Sequence, residues 1–237
     1  MAFVWSMIYV APLIILSTLL FGFTSIVLSF FDKTGRSMIA TARVWARSLL
    51  AIVRVRVSVE GLDKIDPHAA YVFVSNHLSY MDTPVVLTYI PVQFRFMAKK
   101  GLFQIPFLGT HLIQAGHIPV PREDPRAAVK TLTRAAQMIR DRGISVLIFP
   151  EGGRSEDGNL QEFKEGAAYI AIKAGVPVVP IALLGSRQIL PLGSATFHAG
   201  KVRLKIAPPI PTIGMALRDR DALTGRARGE IVRMLDA

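Results

Sequence analysis

The chain has 237 residues, 51% of them hydrophobic, with 28 Lys and Arg against 17 Asp and Glu and a formal net charge of +11. That length supports one sizeable core, or a core with an appendage. The lack of cysteine excludes a disulfide framework and a thiolate nucleophile, and the positive charge points to a polyanionic partner, either nucleic acid or anionic lipid.

No Asp, Glu, Lys or Arg occurs between Met1 and Phe31. About 20 apolar residues cross a bilayer as a helix, so residues 4–31 suffice for one long apolar helix. They also suit two half-helices, if Pro12 and Gly22 break the run. A cleaved signal peptide is the rival reading. The start lacks Lys and Arg, however, and Phe30-Phe31 is followed by charge rather than a cleavage pattern. Lys33, Arg36, Arg43, Arg47, Arg54 and Arg56 then face only Asp32 and Glu60. Basic residues after an apolar segment favour the cytoplasmic side and attract anionic headgroups. With no zinc-ligand cluster, aromatic-rich binding strand or basic tail, membrane lipid is the expected polyanion and nucleic acid is not expected as a partner. Residues 36–50 follow a helical period: Arg36, Arg43 and Arg47 share one face, Ile39, Ala42, Ala46 and Leu49 another. A packed helix with a solvated face fits that pattern. So does an interfacial helix with its arginines at phosphate level, which the neighbouring segment favours.

From residue 53 the period changes to two. Val53, Val55, Val57 and Val59 alternate with Arg54, Arg56, Ser58 and Glu60, which predicts a strand with one wet face. Short apolar runs follow at 70–75, 94–98, 117–120, 145–149 and 178–184, with an alternating run at 201–206. Helical patterns separate several of them. The clearest runs 125–142, with Asp124 as N-cap, Pro125 at the first helical position and Gly143 as the stop. Another spans about 163–173 before Gly175, and the tail 213–237 is weakly helical. The expected class is α/β, a mostly parallel central sheet flanked by helices, with an N-terminal membrane-anchoring helical segment. The expected division is residues 1–52 as anchor and 53–237 as the second unit.

Four of the apolar strands run straight into polar groups: Asn76-His77, Lys99-Lys100, Pro121-Arg122, and Pro150-Glu151-Gly152-Gly153-Arg154-Ser155. In open α/β sheets, ligands bind beyond the carboxyl ends of the strands. If these strands are parallel neighbours, a histidine, several cations and a Gly-rich turn converge on one edge. His77 and Asp82 are five residues apart. With Ser79 capping the following helix, the carboxylate can fold back, fix the imidazole tautomer and leave the other nitrogen as a general base. A histidine merely hydrogen-bonded at a strand end fits the same spacing. In 149–155, the glycines allow close backbone approach to an anion and Arg154 can grip a phosphate. Glu151 could accept from a substrate hydroxyl or hold an arginine. A Gly-Gly turn with a surface ion pair is the plain alternative. Neither Gly-x4-Gly-Lys-Ser/Thr nor Gly-x-Ser-x-Gly occurs. His111 and His117, six apart without a ligand-rich string, read as structural or surface residues, so no metal is expected.

At these residues the chain resembles the glycerolipid acyltransferases, most closely the bacterial 1-acyl-sn-glycerol-3-phosphate acyltransferases. Asn76-His77-x4-Asp82 matches the family's His-x4-Asp block. Gly116 to Arg122 matches the second block, which ends in a phosphate-contacting arginine. Phe149 to Ser155 matches the third, usually Glu-Gly-Thr-Arg, with Gly153 in place of the threonine. Val176 to Ile181 matches the fourth, and Phe163-Lys164-x-Gly166 also fits. Pro119 and Pro121 are unusual in the second block. The resemblance covers about residues 55–210. It implies that His77, oriented by Asp82, activates the sn-2 hydroxyl of 1-acyl-sn-glycerol-3-phosphate, and that the alkoxide attacks acyl-CoA or acyl-carrier protein directly, giving phosphatidic acid. No further cofactor is implied. Arg122 and Arg154, with Lys99 or Lys100, would hold the acceptor phosphate, with Asn76, Glu151, Gly152, Gly153 and Ser155 around them. Acyltransferases for other lysolipids, such as lyso-ornithine lipid, share the same blocks. A silent, membrane-tethered lipid-binding module would keep the cationic pocket without needing the His-Asp pair.

Overall fold

The computed structural model describes residues 2–121 and 124–237, so Arg122 lies outside the described residues. The strands are β1 (Val55–Glu60), β2 (Val72–Ser75), β3 (Phe94–Lys99), β4 (Ile118–Val120), β5 (Ser145–Ile148), β6 (Val178–Leu184) and β7 (Gly200–Ile206). They form a sheet in the order β1-β7-β6-β2-β5-β3-β4. Every pairing is parallel except β6 with β7. The helices are α1 (Ala2–Trp5), α2 (Ala11–Ser29), α3 (Arg36–Ile52), α4 (Asp82–Tyr89), α5 (Leu108–Gln114), α6 (Pro125–Arg142), α7 (Gly166–Ala174), α8 (Ser186–Ile189) and α9 (Arg220–Asp236).

Strand side chains alternate between two cores, as the pleat requires. Phe73, Phe94, Leu147, Val179 and Ile181 pack with Ala42, Ala46 and Leu50 of α3 and with Val85 and Val86 of α4. Val72, Val74, Val146, Ile148 and Val178 pack with α6, α7 and α9 on the other face. The central strands β2 and β5 are buried at every position, consistent with a parallel sheet covered on both sides. The expected helix 125–142 is found with those bounds. The Asp124 carboxylate accepts the N–H groups of Arg126 and Ala127, and Gly143 closes the helix at φ 62°.

The N-terminal run forms one apolar helical segment, Ala2–Ser29, long enough to cross a membrane. Neither Pro12 nor Gly22 breaks it, so the half-helix expectation is corrected. A π turn at Ser6–Val10 absorbs the proline, with the Ala11 N–H reaching back five residues to the Ser6 carbonyl. The distribution of polarity on this segment is inverted. Its buried side carries Ser6, Ser17, Ser25 and Ser29 with Val10 the one large apolar residue among them, while Leu13, Leu16, Leu20 and Phe23 are exposed. Ser17 Oγ lies 2.6 Å from Ser48 Oγ, and Trp45 Nε1 donates to Thr18 Oγ1 at 3.1 Å. The Ser6 hydroxyl accepts the Phe197 N–H at 2.8 Å. Polar groups paired against protein and apolar groups turned outward are what lipid on the free side demands.

The two readings left open for α3 resolve toward packing. Met38, Ile39, Ala42, Ala46, Leu49 and Leu50 are buried, and α3 lies between α2 and α4. Arg43 is turned inward rather than held at phosphate level. Its Nη2 donates to the carbonyls of Ile90, Pro91 and Val92, which satisfies the acceptors at the end of α4. Because α3 runs to Ile52, the next strand begins at Val55 rather than 53. Val53 caps the helix, and Arg54 makes the corner at φ 61°. The helix expected from about 163 begins at Gly166 instead, because the Lys164 N–H is engaged by the Pro150 carbonyl.

Buried Arg95 on β3 secures the connection after α2. Its Nη2 donates to the Thr34 carbonyl at 3.0 Å, and Gly35, at φ 74°, packs against the Ala115 carbonyl. Burial pushes the Arg95 guanidinium down to about 10, opposed by nearby Asp32. Asp32 itself accepts the N–H and hydroxyl of both Thr34 and Ser37, fixing the entry to α3.

Candidate active site

β2 ends at Ser75, and the next two residues are held from both sides. Asn76 is buried. Its amide donates to the Leu183 carbonyl at 2.9 Å and accepts the Leu183 N–H at 2.8 Å, so it ties the end of β2 to β6. His77, 8% exposed, places Nδ1 2.7 Å from Asp82 Oδ2. The same oxygen accepts the N–H groups of Leu78 at 2.7 Å and Ser79 at 2.8 Å. Three donors on one carboxylate oxygen give Nδ1 the hydrogen and leave Nε2 as the acceptor nitrogen. Asp82, the first residue of α4, is wholly buried, so its position is fixed by packing as well as bonding.

Ser79 does not cap α4 as expected. Its hydroxyl donates to the Leu190 carbonyl and accepts the Met81 N–H, bracing the His-x4-Asp turn against the segment after β6. Phe149, which the sequence reading placed in the 149–155 string without a role of its own, packs directly on His77. Its ring lies 3.9 Å from the His77 ring, at 14° between planes. β5 borders β2 directly, and continuing their register sets Phe149 opposite Ser75, two residues before His77 and on the same face of the pleat. The Phe-Pro-Glu-Gly-Gly string carried that signal, but only through the parallel register.

The 149–155 turn is strapped to His77 by two backbone contacts. Glu151 Oε1 accepts the His77 N–H at 2.7 Å, and the Ser155 N–H donates to the His77 carbonyl at 3.1 Å. Glu151 Oε2 accepts the Gln161 N–H at 2.9 Å. Both oxygens are thus engaged by backbone N–H groups, a role different from the substrate hydroxyl or arginine partner expected. Burial pushes the Glu151 carboxyl up, and these two N–H groups partly oppose the shift. Ser155 is buried, with its hydroxyl donating to Asp157 and accepting the Gly158 N–H. Gly152 adopts φ 77° beneath the Lys164 ammonium, whereas Gly153 is exposed and open on all sides. The Arg154 guanidinium lies over the Tyr80 ring, 3.6 Å from its centroid. A hollow of about 510 Å³ opens here, lined by Glu151, Gly153, Arg154, Ser155, Asp157 and Gln161. A second, of about 320 Å³, lies between the 158–160 loop and α9, with Asn76 and Leu78 in its wall.

The sheet therefore brings His77, Asp82 and the 149–155 turn into one bonded unit. Lys99 and Lys100 are exposed on the same sheet edge, but at the end of β3, two strands from His77, or about 10 Å at the usual strand spacing. Two cations near the turn, Lys164 above Gly152 and Arg187 bonded to the Glu156 carbonyl, were not singled out as ligands by sequence. His111 and His117 are structural. The His117 Nδ1 accepts the Phe96 N–H, and burial holds its pKa well below the ordinary value. His111 Nδ1 lies 2.6 Å from Ser25 Oγ on α2, and burial pushes His111 down to about 4.

An imidazole bonded through Nδ1 to a buried carboxylate, with Nε2 left as acceptor beside a cation-bearing glycine turn, is suited to removing a proton from a hydroxyl on an anionic molecule. Known proteins with this pattern agree in family. The family model described as Acyltransferase matches residues 56–184. The chain is 38% identical over 197 residues to the 1-acyl-sn-glycerol-3-phosphate acyltransferase LPAT1, chloroplastic, of Arabidopsis thaliana, covering 82% of this chain and 53% of that protein. It is 32% identical over 174 residues to the 1-acyl-sn-glycerol-3-phosphate acyltransferase alpha of Homo sapiens, covering 73% and 62%. The chain thus spans about half to three-fifths of the length of these relatives. The crystal structure of the 1-acyl-sn-glycerophosphate (LPA) acyltransferase PlsC from Thermotoga maritima superimposes with a TM-score of 0.81 at 25% identity, covering 99% of this chain and 98% of that one. With a family model matching more than half its length, a fold shared end to end with a solved member and the His-x4-Asp pair bonded as described, the chain belongs to the acyltransferase family.

Proposed function

We propose that the protein transfers a fatty acyl group from acyl-CoA or acyl-carrier protein to the sn-2 hydroxyl of 1-acyl-sn-glycerol-3-phosphate, giving phosphatidic acid. The observation that carries this reading is the His77–Asp82 bond, in which one buried oxygen holds the imidazole and two backbone N–H groups together. In the reaction, His77 Nε2 takes the hydroxyl proton as the oxygen attacks the thioester carbonyl. The imidazolium is stabilised by Asp82. When the tetrahedral intermediate collapses, the C–S bond breaks and the proton passes to the departing thiolate. No side chain carries the acyl group, in keeping with a chain that has neither cysteine nor a Gly-x-Ser-x-Gly elbow.

Arg154, stacked on Tyr80 beside the turn, is assigned to the acceptor phosphate, with Arg122 as its partner from the second block and Lys99 or Lys100 as outer cations. Asn76, Glu151, Gly152, Gly153 and Ser155 hold the turn in the shape that offers these contacts. Residues 1–52 are assigned to anchoring and 53–237 to the chemistry, although Ala42, Ala46 and Leu50 share a core with the strands. Since the Ala2–Ser29 segment is bonded to the body at Ser6, Ser17, Thr18 and Ser25, it lies along the protein rather than projecting from it. A helix embedded by its apolar face fits that packing better than a perpendicular span. The basic stretch from Lys33 to Arg56 assigns the catalytic unit to the cytoplasmic face of the inner membrane. Purified protein supplied with labelled oleoyl-CoA and a panel of lysolipids tests the activity. The expected product is phosphatidic acid from the lysophosphatidic acid arm. Faster transfer to lyso-ornithine lipid would replace the acceptor, and transfer to none would leave a lipid-binding module.

A further inference from the structure

After the first 31 residues, the longest stretch without Asp, Glu, Lys or Arg is 101–121. Its portion up to Ile113 is not hidden in the fold. Leu102, Ile105, Phe107, Leu108 and Ile113 are all exposed, Phe107 by 61% and Ile113 by 59%. The loop is built to present them. Phe107 adopts φ 63°, a conformation that a non-glycine residue takes only when its surroundings impose it. Gly109 makes the fold-back possible, since a Cβ there would lie 2.1 Å from the Phe103 carbonyl oxygen. The Gly109 N–H closes the loop on the Ile105 carbonyl at 2.7 Å, leaving Phe107 at the tip.

We infer that the 102–108 loop and the outer side of α5 form a second membrane-contact surface, inserted into the same bilayer that receives the apolar face of α2. Three observations select a bilayer. The patch continues an apolar surface already turned outward, because α5 packs on α2 and His111 is bonded to Ser25. At that junction His111 and Ser25 are bonded to each other, so these two polar groups need no water from the outer side. Lys99 and Lys100, exposed immediately before the loop, stand where anionic headgroups meet the hydrocarbon. Two contacts, one from α2 and one from the β3–α5 connection, fix the tilt of the body. The strand ends that bear His77 are then held at the membrane surface, within reach of a lysolipid that keeps its acyl chain in the leaflet. The inference rests on the membrane attachment read from α2, and its test separates the two.

The chain has no cysteine, so single thiols can be placed by Phe107→Cys, Ile113→Cys, Leu16→Cys on α2 and Gln137→Cys on α6, across the sheet. Each is labelled with an environment-sensitive fluorophore and bound to vesicles of phosphatidylcholine and phosphatidylglycerol, with or without nitroxide-bearing acyl chains. Positions 107 and 113 are expected to shift to the blue and to be quenched by the nitroxide lipid several-fold more than position 137, as position 16 is. Quenching at 16 without quenching at 107 and 113 would leave the α2 anchor standing and overturn this surface. A blue shift at 107 and 113 insensitive to nitroxide would mark contact with a second copy of the chain and overturn it equally. Position 113, in regular helix, keeps the test valid if the strained position 107 does not accept a substitution.

Discussion

The Phe149 ring lies flat against the His77 imidazole, 3.9 Å away, and is backed by Phe96 at 6.3 Å. Asp82 fixes one nitrogen of His77, whereas Phe149 fixes the plane of the ring. A Phe149→Leu variant keeps apolar volume but loses the flat face. Such pairs contribute about 0.5–1.5 kcal/mol beyond burial, so kcat is expected to fall roughly 2- to 12-fold with little change in the acceptor KM. Steady-state kinetics on the purified variant check this.

The two glycines of the turn are expected to differ. Gly152 sits at φ 77°, with an added Cβ meeting Lys164 Nζ at 3.1 Å; Gly153 has nothing within 4 Å. Gly152→Ala should cost about 1–2 kcal/mol for the left-handed backbone, whereas Gly153→Thr should stay within about 0.5 kcal/mol. Thermal unfolding of both variants in the same detergent reads the difference.

Arg154→Ala is expected to raise the KM for lysophosphatidic acid and to leave the acyl-CoA KM nearly unchanged. Losing a charge-assisted contact costs about 1.5–3 kcal/mol, or roughly 10- to 150-fold. Tyr80→Leu, which removes the ring under the guanidinium, should move the same constant by a smaller factor. A rise confined to acyl-CoA would assign Arg154 to the donor.

His111 links α5 to Ser25, and burial, with Arg95 nearby, pushes its pKa from 6.5 down to about 4. The folded state therefore binds fewer protons than the unfolded state between those values. Stability is full above pH 6.5 and is lost as pH falls toward 4, by on the order of 3 kcal/mol from this group. His111→Asn should flatten that part of a melting-temperature profile, while buried His117 keeps a slope of the same sign.

Local rules made much of this legible. The helix at 125–142 carried its own start and stop in Asp124, Pro125 and Gly143, and the structure keeps those bounds. Polar groups after apolar runs placed His77 and the 149–155 turn on one edge because parallel strands share an end. What stayed hidden depends on partners far along the chain. Arg43 reaches carbonyls 47 to 49 residues away, and Glu151 a backbone N–H 74 residues away. From residue types alone both read as ligands for anions or hydroxyls. The serine stripe of α2 was equally invisible, since small hydroxyl residues scattered in an apolar run acquire a side only once α3 and α5 are packed against them.

The most direct test of the central claim is acyl transfer by purified His77→Ala, measured with lysophosphatidic acid and labelled oleoyl-CoA beside the wild type. With the melting temperature confirming a folded variant, the phosphatidic acid rate is expected to fall about 100- to 10,000-fold, the usual contribution of a general base. Turnover near the wild-type rate from folded His77→Ala would contradict the mechanism.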